Sequence, residues 1–297
     1  MSYLFKIDSY FSLISGRCPN LQIEELDVNL PSTFALWNAH GLDEFYKRHP
    51  QEPIPRVGVR LFDFLRRPEL LDPSAWLVED VNIGLCGMHR AVWRYNMTRQ
   101  NGGVVEPNYK DQLAKQLDFW RVKLDKVSNL CDTPQSQAQG GDSLLRFYLG
   151  GETEGSPSTR ARVRSLLHDT EMLYNIIGLY LYSDTHLLTR FAMTPAASTV
   201  DTPTSTRSSQ ANNARVKEWV HSPDGKTAIT FCMAVLKARE NIRPQDIGHY
   251  RPAESLEHAA VLDTRAVLEA CFVATEDSDS CMMALYDSYL LNLETLD

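Results

Sequence analysis

The stretch that decides the fold runs from Ala211 to Arg239, ANNARVKEWVHSPDGKTAITFCMAVLKAR. It reads as two helices around a Pro-Asp-Gly break. Asn212–Val220 forms the first. Ser222 is the N-cap of the second, with Pro223 at its first position and Asp224 in its first turn, where a carboxylate suits the positive end of the helix dipole. Ala228, Phe231, Cys232, Val235 and Leu236 then recur at helical spacing, the pattern of a helix with one face on a core. None of these side chains suggests chemistry, so the segment is architectural.

Outward from this stretch, helical patterns dominate. Tyr3–Ser15, Leu42–Arg48, Val57–Arg67, Pro73 to about Thr98, and Asn108–Leu130 each carry apolar residues at helical spacing. Arg160–Phe191 is longer and more apolar, and is expected to kink near Ser183-Asp184. Ala253–Val273 and Asp279–Leu293 close the chain. No run alternates apolar and polar residues with β-branched enrichment, so no strand is expected. The fold expected is all-α, an irregular bundle of roughly ten to twelve helices in a single domain over residues 1–297. Two polar segments, 132–143 (DTPQSQAQGGDS) and 194–213 (TPAASTVDTPTSTRSSQANN), carry too little apolar surface to order themselves and are expected to be disordered insertions.

The order Trp219, Ser222, Lys226, Ala228, Ile229, Val235, Leu236 resembles a segment of the fungal-specific transcription factor domain, the middle homology region. A second string lies upstream. Leu30-Pro31-Ser32-Thr33-Phe34-Ala35-Leu36-Trp37-Asn38-Ala39, followed by Glu44-Phe45, is similar to the family's Leu-Pro, Leu-Trp-x-Ala, Glu-Trp string, typical of members with two-Cys, two-His zinc fingers. Phe45 stands where the family often has Trp, and Phe231-Cys232 where His-Ala is common. The resemblance implies an all-α regulatory and protein-interaction domain working in the nucleus on transcription-associated proteins. It implies packing or capping roles for Leu30, Pro31, Leu36, Trp37, Ala39, Trp219, Ser222, Lys226 and Ala228. DNA would be reached only through a finger domain that this chain does not contain, and zinc would belong to those fingers in full-length relatives. A homodimer is an open arrangement. The rival readings are a finger-less scaffold or competitor protein and, further off, an α-helical enzyme.

Composition bounds these readings. The chain has 297 residues, 43% hydrophobic and 23% charged, which is ordinary for a globular protein able to bury a full core. A net charge of −8 argues against a DNA-binding surface, because phosphate contacts need clustered Lys and Arg. Arg66-Arg67 and Arg160, Arg162, Arg164 are the densest basic spots and read as solvated helix faces. Lys6 and Asp8 interrupt the apolar run at the N-terminus, unlike a signal peptide. The longest apolar run, Met172–Tyr182, is about half a bilayer core in length, so no membrane partner is expected. The six cysteines are widely spaced and read as small buried hydrophobes.

No catalytic, cofactor-binding or metal residue is assigned, and no enzyme activity is expected. Cys86 and His89 have a ligand-like spacing, yet no second pair follows. Glu254 and His258, four apart, read as a solvent-facing helical pair. His168-Asp169 and Asp184-x-His186 have no nucleophile beside them. Gly225-Lys226-Thr227 lacks the upstream glycine of a phosphate loop and instead reads as shaping a helix–helix turn. The five tryptophans, Trp37, Trp76, Trp93, Trp120 and Trp219, are expected to be core pillars.

Overall fold

A computed structural model describes residues 2–72, 74–132, 144–152, 156–192, 203–240, 260, 262–269 and 271. Among them the fold is all-α. The helices are α1 (Ser2–Ser15), α2 (Phe34–Trp37), α3 (Leu42–Arg48), α4 (Leu61–Arg66), α5 (Val78–Gln100), α6 (Tyr109–Asp132), α7 (Pro157–Tyr182), α8 (Thr185–Ala192), α9 (Pro203–His221) and α10 (Pro223–Glu240), with a further helical stretch at 262–269. No strand occurs among the described residues; an isolated bridge joins Asn29 to Arg60. The described residues divide into two compact units, one up to Tyr174 and the other from Asn175 onward.

The first unit is built on α5. Val78, Val81, Leu85, Cys86 and Val92 are buried along it, and α1 and α6 pack against it. Its start is set by a buried charge. Asp80 Oδ2 accepts from the Leu77 backbone N–H at 2.9 Å, capping the helix at Val78 rather than at Pro73. The same carboxylate takes both arms of Arg56, from Nε at 3.1 Å and Nη2 at 2.5 Å. Arg56 Nη1 donates to the Pro31 carbonyl at 2.5 Å. Residues Val57–Arg60, expected as helix, are instead a turn at Val57-Gly58, with Gly58 at φ +79°, leading into the bridge at Arg60. Leu30 N–H donates to Val59 at 2.8 Å and Leu61 N–H to Val28 at 2.7 Å. These long-range backbone bonds override the local apolar pattern, and α4 begins only at Leu61.

An aromatic cluster fills the space between α4, α5 and α6. Trp76 and Trp120 lie 5.8 Å apart, Phe64 and Trp76 5.5 Å, Phe119 and Trp120 5.2 Å. Trp120 sits against the α5 backbone at Gly84, where an added Cβ would come within 2.0 Å of its ring. The pillar reading therefore fits Trp76 and Trp120. Trp93 and Trp219 are half-buried, and Trp37 is exposed.

The second unit contains the deciding stretch. Leu179, Leu188, Val216, Val220, Ala228, Cys232, Leu236, Val267 and Leu268 form its buried core. The turn between α9 and α10 is built as the sequence suggests. Ser222 Oγ accepts from the Gly225 N–H at 3.1 Å and donates to the Trp219 carbonyl at 2.6 Å. Gly225 carries no side chain for a steric reason: a Cβ there would sit 2.3 Å from the Trp219 carbonyl oxygen. Trp219 is half-buried and its indole N–H donates to the Tyr182 carbonyl at 2.9 Å. Phe231 lies on Gly178, and stacks on Tyr182 at 6.0 Å. The expected kink at Ser183-Asp184 is the break between α7 and α8, where Asp184 Oδ1 caps the Leu187 N–H at 3.0 Å.

Two expectations change. Lys226 is exposed, so only its backbone belongs to the motif, donating to Ser222 at 3.2 Å. Residues 203–213, read as part of an insertion, lie in α9, which opens with Pro203, a residue whose fixed φ suits the first helical position. Residues 194–202 and 133–143, and the terminal helix expected at Asp279–Leu293, lie outside the described residues.

Trp219→Ala is expected to cost about 2–3 kcal/mol, below the range for a fully buried Trp because the ring is half-covered. Ser222→Ala is expected to cost about 1 kcal/mol, one lost N-cap. Urea unfolding midpoints measure both; equal losses at the two positions would show that the indole does not pack.

The second unit also holds a pH-sensitive pair. The Tyr180 hydroxyl donates to Asp263 Oδ2 at 2.5 Å. Burial pushes the Asp263 carboxyl up to about 6, against the opposing pull of the Tyr180 hydrogen bond. The folded value lies above that of an unfolded Asp. The contribution to stability is therefore full below about pH 4 and is lost as the pH rises through about 6. Asp263→Asn keeps a carbonyl for Tyr180 without a charge. It should raise the Tm at pH 8 and leave it nearly unchanged at pH 4; equal shifts at both would assign the effect to something other than charge.

Candidate functional site

The upstream motif string folds into a short, exposed corner of the first unit. Thr33 caps α2: its Oγ1 accepts from the Leu36 N–H at 3.2 Å, and Glu52 Oε2 accepts from the Thr33 N–H at 3.1 Å. Leu30, Ala35 and Leu36 are buried, and Pro31 and Ala39 half-buried, in keeping with packing roles. Trp37 departs from them. It is 84% exposed. In a helix of a single turn, the face that carries Ala35 and Leu36 into the core leaves Trp37 toward solvent.

Apolar exposure continues on α3. Leu42 and Tyr46 are exposed, and Phe45 is more than a third exposed. The Phe45 ring meets Tyr46 edge-on at 5.8 Å and His49 at 5.4 Å, giving a short aromatic row. Three aromatics and a leucine at the surface within one corner are unusual for a face that only meets water.

Beside them lies a cleft of about 590 Å³ between α2, α3 and the segment 146–152. Arg48 ties its walls together. Its Nε donates to Glu44 Oε1 at 2.6 Å, Nη1 to the Ala35 carbonyl at 2.7 Å and Nη2 to the Gly150 carbonyl at 2.7 Å. The Arg48 hydrogen bond lowers the Glu44 carboxyl below its usual range. On the opposite wall Glu152 pairs with Arg162 at 2.7 Å. Burial works against the Glu152 charge, yet the Arg162 and Thr159 hydrogen bonds bring it down to about 2. Arg162 also lies over the Phe34 ring at 4.4 Å. Arg160 and Arg164 are exposed as expected of a solvated face, whereas Arg162 is a structural clamp. The cleft's carboxylates Glu44, Glu52 and Glu152 are thus each held by a neighbour. Asn38, Lys47 and Gln51 stand on its rim.

The other sequence candidates sort as follows. Cys86 and His89 are both buried in α5. Burial brings the imidazole down to about 3 and pushes the thiol up to about 12, so both are neutral near pH 7. Neither ring nitrogen of His89 has a hydrogen-bond partner. Among the described residues no group of three His, Cys, Asp or Glu side chains could hold a metal ion, and no helix is long and apolar enough to cross a membrane. His168 and Asp169 lie on α7, with Asp169 buried. Lys226 is exposed, and Thr227 Oγ1 donates to the Pro223 carbonyl at 2.9 Å, a helical self-contact. Glu254, His258 and the His186 side chain lie outside the described residues. Of the described cysteines, Cys18 is exposed and Cys86, Cys131, Cys232 and Cys271 are buried.

No family model, curated protein or solved structure matches this chain.

Proposed function

We propose that the chain is a regulatory and protein-interaction domain of a fungal transcription factor, acting in the nucleus on transcription-associated proteins. The two motif strings, in the family's order, support this reading. The observation that carries it is Trp37, a motif residue that is 84% exposed beside an aromatic row and a polar cleft. A large aromatic kept at the surface is the usual anchor of a protein–protein contact. Recognition of DNA falls to a separate finger domain, consistent with the net charge of −8.

The test tethers this chain to an unrelated DNA-binding domain above a reporter gene in fungal cells. Trp37→Ala should change reporter output several-fold. Its stability should stay within about 0.5 kcal/mol of wild type, because an exposed side chain leaves no cavity. A reporter that does not respond to the tethered chain, or responds identically with Trp37→Ala, would overturn the reading.

A further inference from the structure

Helix α1 is apolar on two faces. Phe5, Tyr10 and Leu13, with Ser9 and Ser12, form the buried one, and α1 packs on α5. The outer face carries Tyr3, Leu4, Ile7, Phe11 and Ile14, each between 45% and 62% exposed. A surface helix ordinarily needs one apolar stripe, toward its own core. The second stripe has a specific period. Leu4, Ile7, Phe11 and Ile14 are spaced three, four and three residues apart, the seam by which one helix packs along another.

We propose that this seam pairs with the same seam on a second copy of the chain, giving a two-fold homodimer through α1. The period selects a helical partner, and a second copy supplies one of matching length and register. Charge is compatible with self-pairing. The residues flanking the seam that are not buried are Tyr3, Asp8 and Ser15, a single ionic group among them. Asp8 is already engaged: Oδ1 accepts from the Asn20 backbone at 3.1 Å and Oδ2 from Leu21 at 2.9 Å. Lys6 lies over the Tyr10 ring at 5.2 Å. No row of like charges would face its copy across the axis. A membrane surface is the poorer match, because a helix lying in it presents several Lys and Arg on its other face, and that face of α1 is buried protein. Five side chains, each half-covered and contributing roughly 100 Å², give roughly 1,000 Å² over two copies, about the lower bound for a specific interface. The dimer is therefore a weak one, in the micromolar range.

Sedimentation equilibrium of the full chain over about 1–200 μM tests this. A monomer–dimer equilibrium is expected, and Phe11→Glu should weaken it at least tenfold without changing the Tm measured at the dilute end. Phe11 lies within one turn of the seam's centre, so it meets its mate's seam in either helix direction. Mixing Phe11→Glu with Phe11→Lys should restore association. Trp37→Ala should leave the equilibrium untouched, which separates this surface from the one on α2 and α3. A chain that stays monomeric throughout, a dimer indifferent to Phe11→Glu, or a mixture that fails to recover would each overturn the proposal.

Discussion

Arg56→Ala is expected to cost about 3–5 kcal/mol, as much as any single substitution in the first unit. Arg56 is 4% exposed and Asp80 is fully buried, so removing the cation strands a carboxylate out of water. Two further groups lose a partner with it. The Pro31 carbonyl is left without the Nη1 donor, and the carboxylate that caps α5 is destabilised at the same moment. Introducing Asp80→Asn beside Arg56→Met should recover part of the loss, because an amide oxygen still caps Leu77 and no charge remains buried. Denaturant unfolding gives the numbers. A cost near 1 kcal/mol for Arg56→Ala would mean that water reaches the pair, and the reading of residues 28–31 as bolted to α5 would fail.

Trp120→Ala should cost about 3–5 kcal/mol, since the ring is 5% exposed and meets Phe64, Trp76 and Phe119. Gly84→Ala should cost about 2–3 kcal/mol by the opposite mechanism, a methyl group driven into a ring that has nowhere to move. The double mutant discriminates. Without the indole, Gly84→Ala should become nearly neutral or favourable, because alanine is the better helix former by about 1 kcal/mol. A coupling energy of about 2–3 kcal/mol is expected. Additive costs would show that the two positions do not touch.

Legibility in the sequence followed the range of the interactions. The Ser222-Pro223-Asp224-Gly225 turn is made almost wholly of neighbours, so its cap and its glycine could be read directly. The break after Ser183 is local in the same way. The turn and bridge at Val57–Arg60 could not be read, because the bonds that hold Val59 and Leu61 come from Leu30 and Val28. The same holds for Arg56 and Asp80, twenty-four positions apart. The start of α9 was obscured by composition: Ser and Thr lower the apolar content of 203–213, but the backbone there is helical. Trp37 failed for a different reason. A one-turn helix has no period from which to infer a face, and a tryptophan in an apolar string looks like core. Of the candidate site, the motif residues were visible, while their outward placement and the Arg48 clasp depended on the loop at 149–150, a hundred residues downstream.

The buried thiols offer a way to time the molecule's openings. Burial pushes the thiols of Cys86 and Cys271 up to about 12, and that of Cys232 up as well, so a disulfide reagent at neutral pH meets a reactive thiolate only when the surrounding structure parts. Cys86 and Cys131 belong to the first unit, Cys232 and Cys271 to the second. With Cys18 and Cys281 replaced by serine, the labelling traces become two clocks, one set in each unit. A shared rate would mean that both open in a single event; separate rates would give each unit an opening free energy of its own.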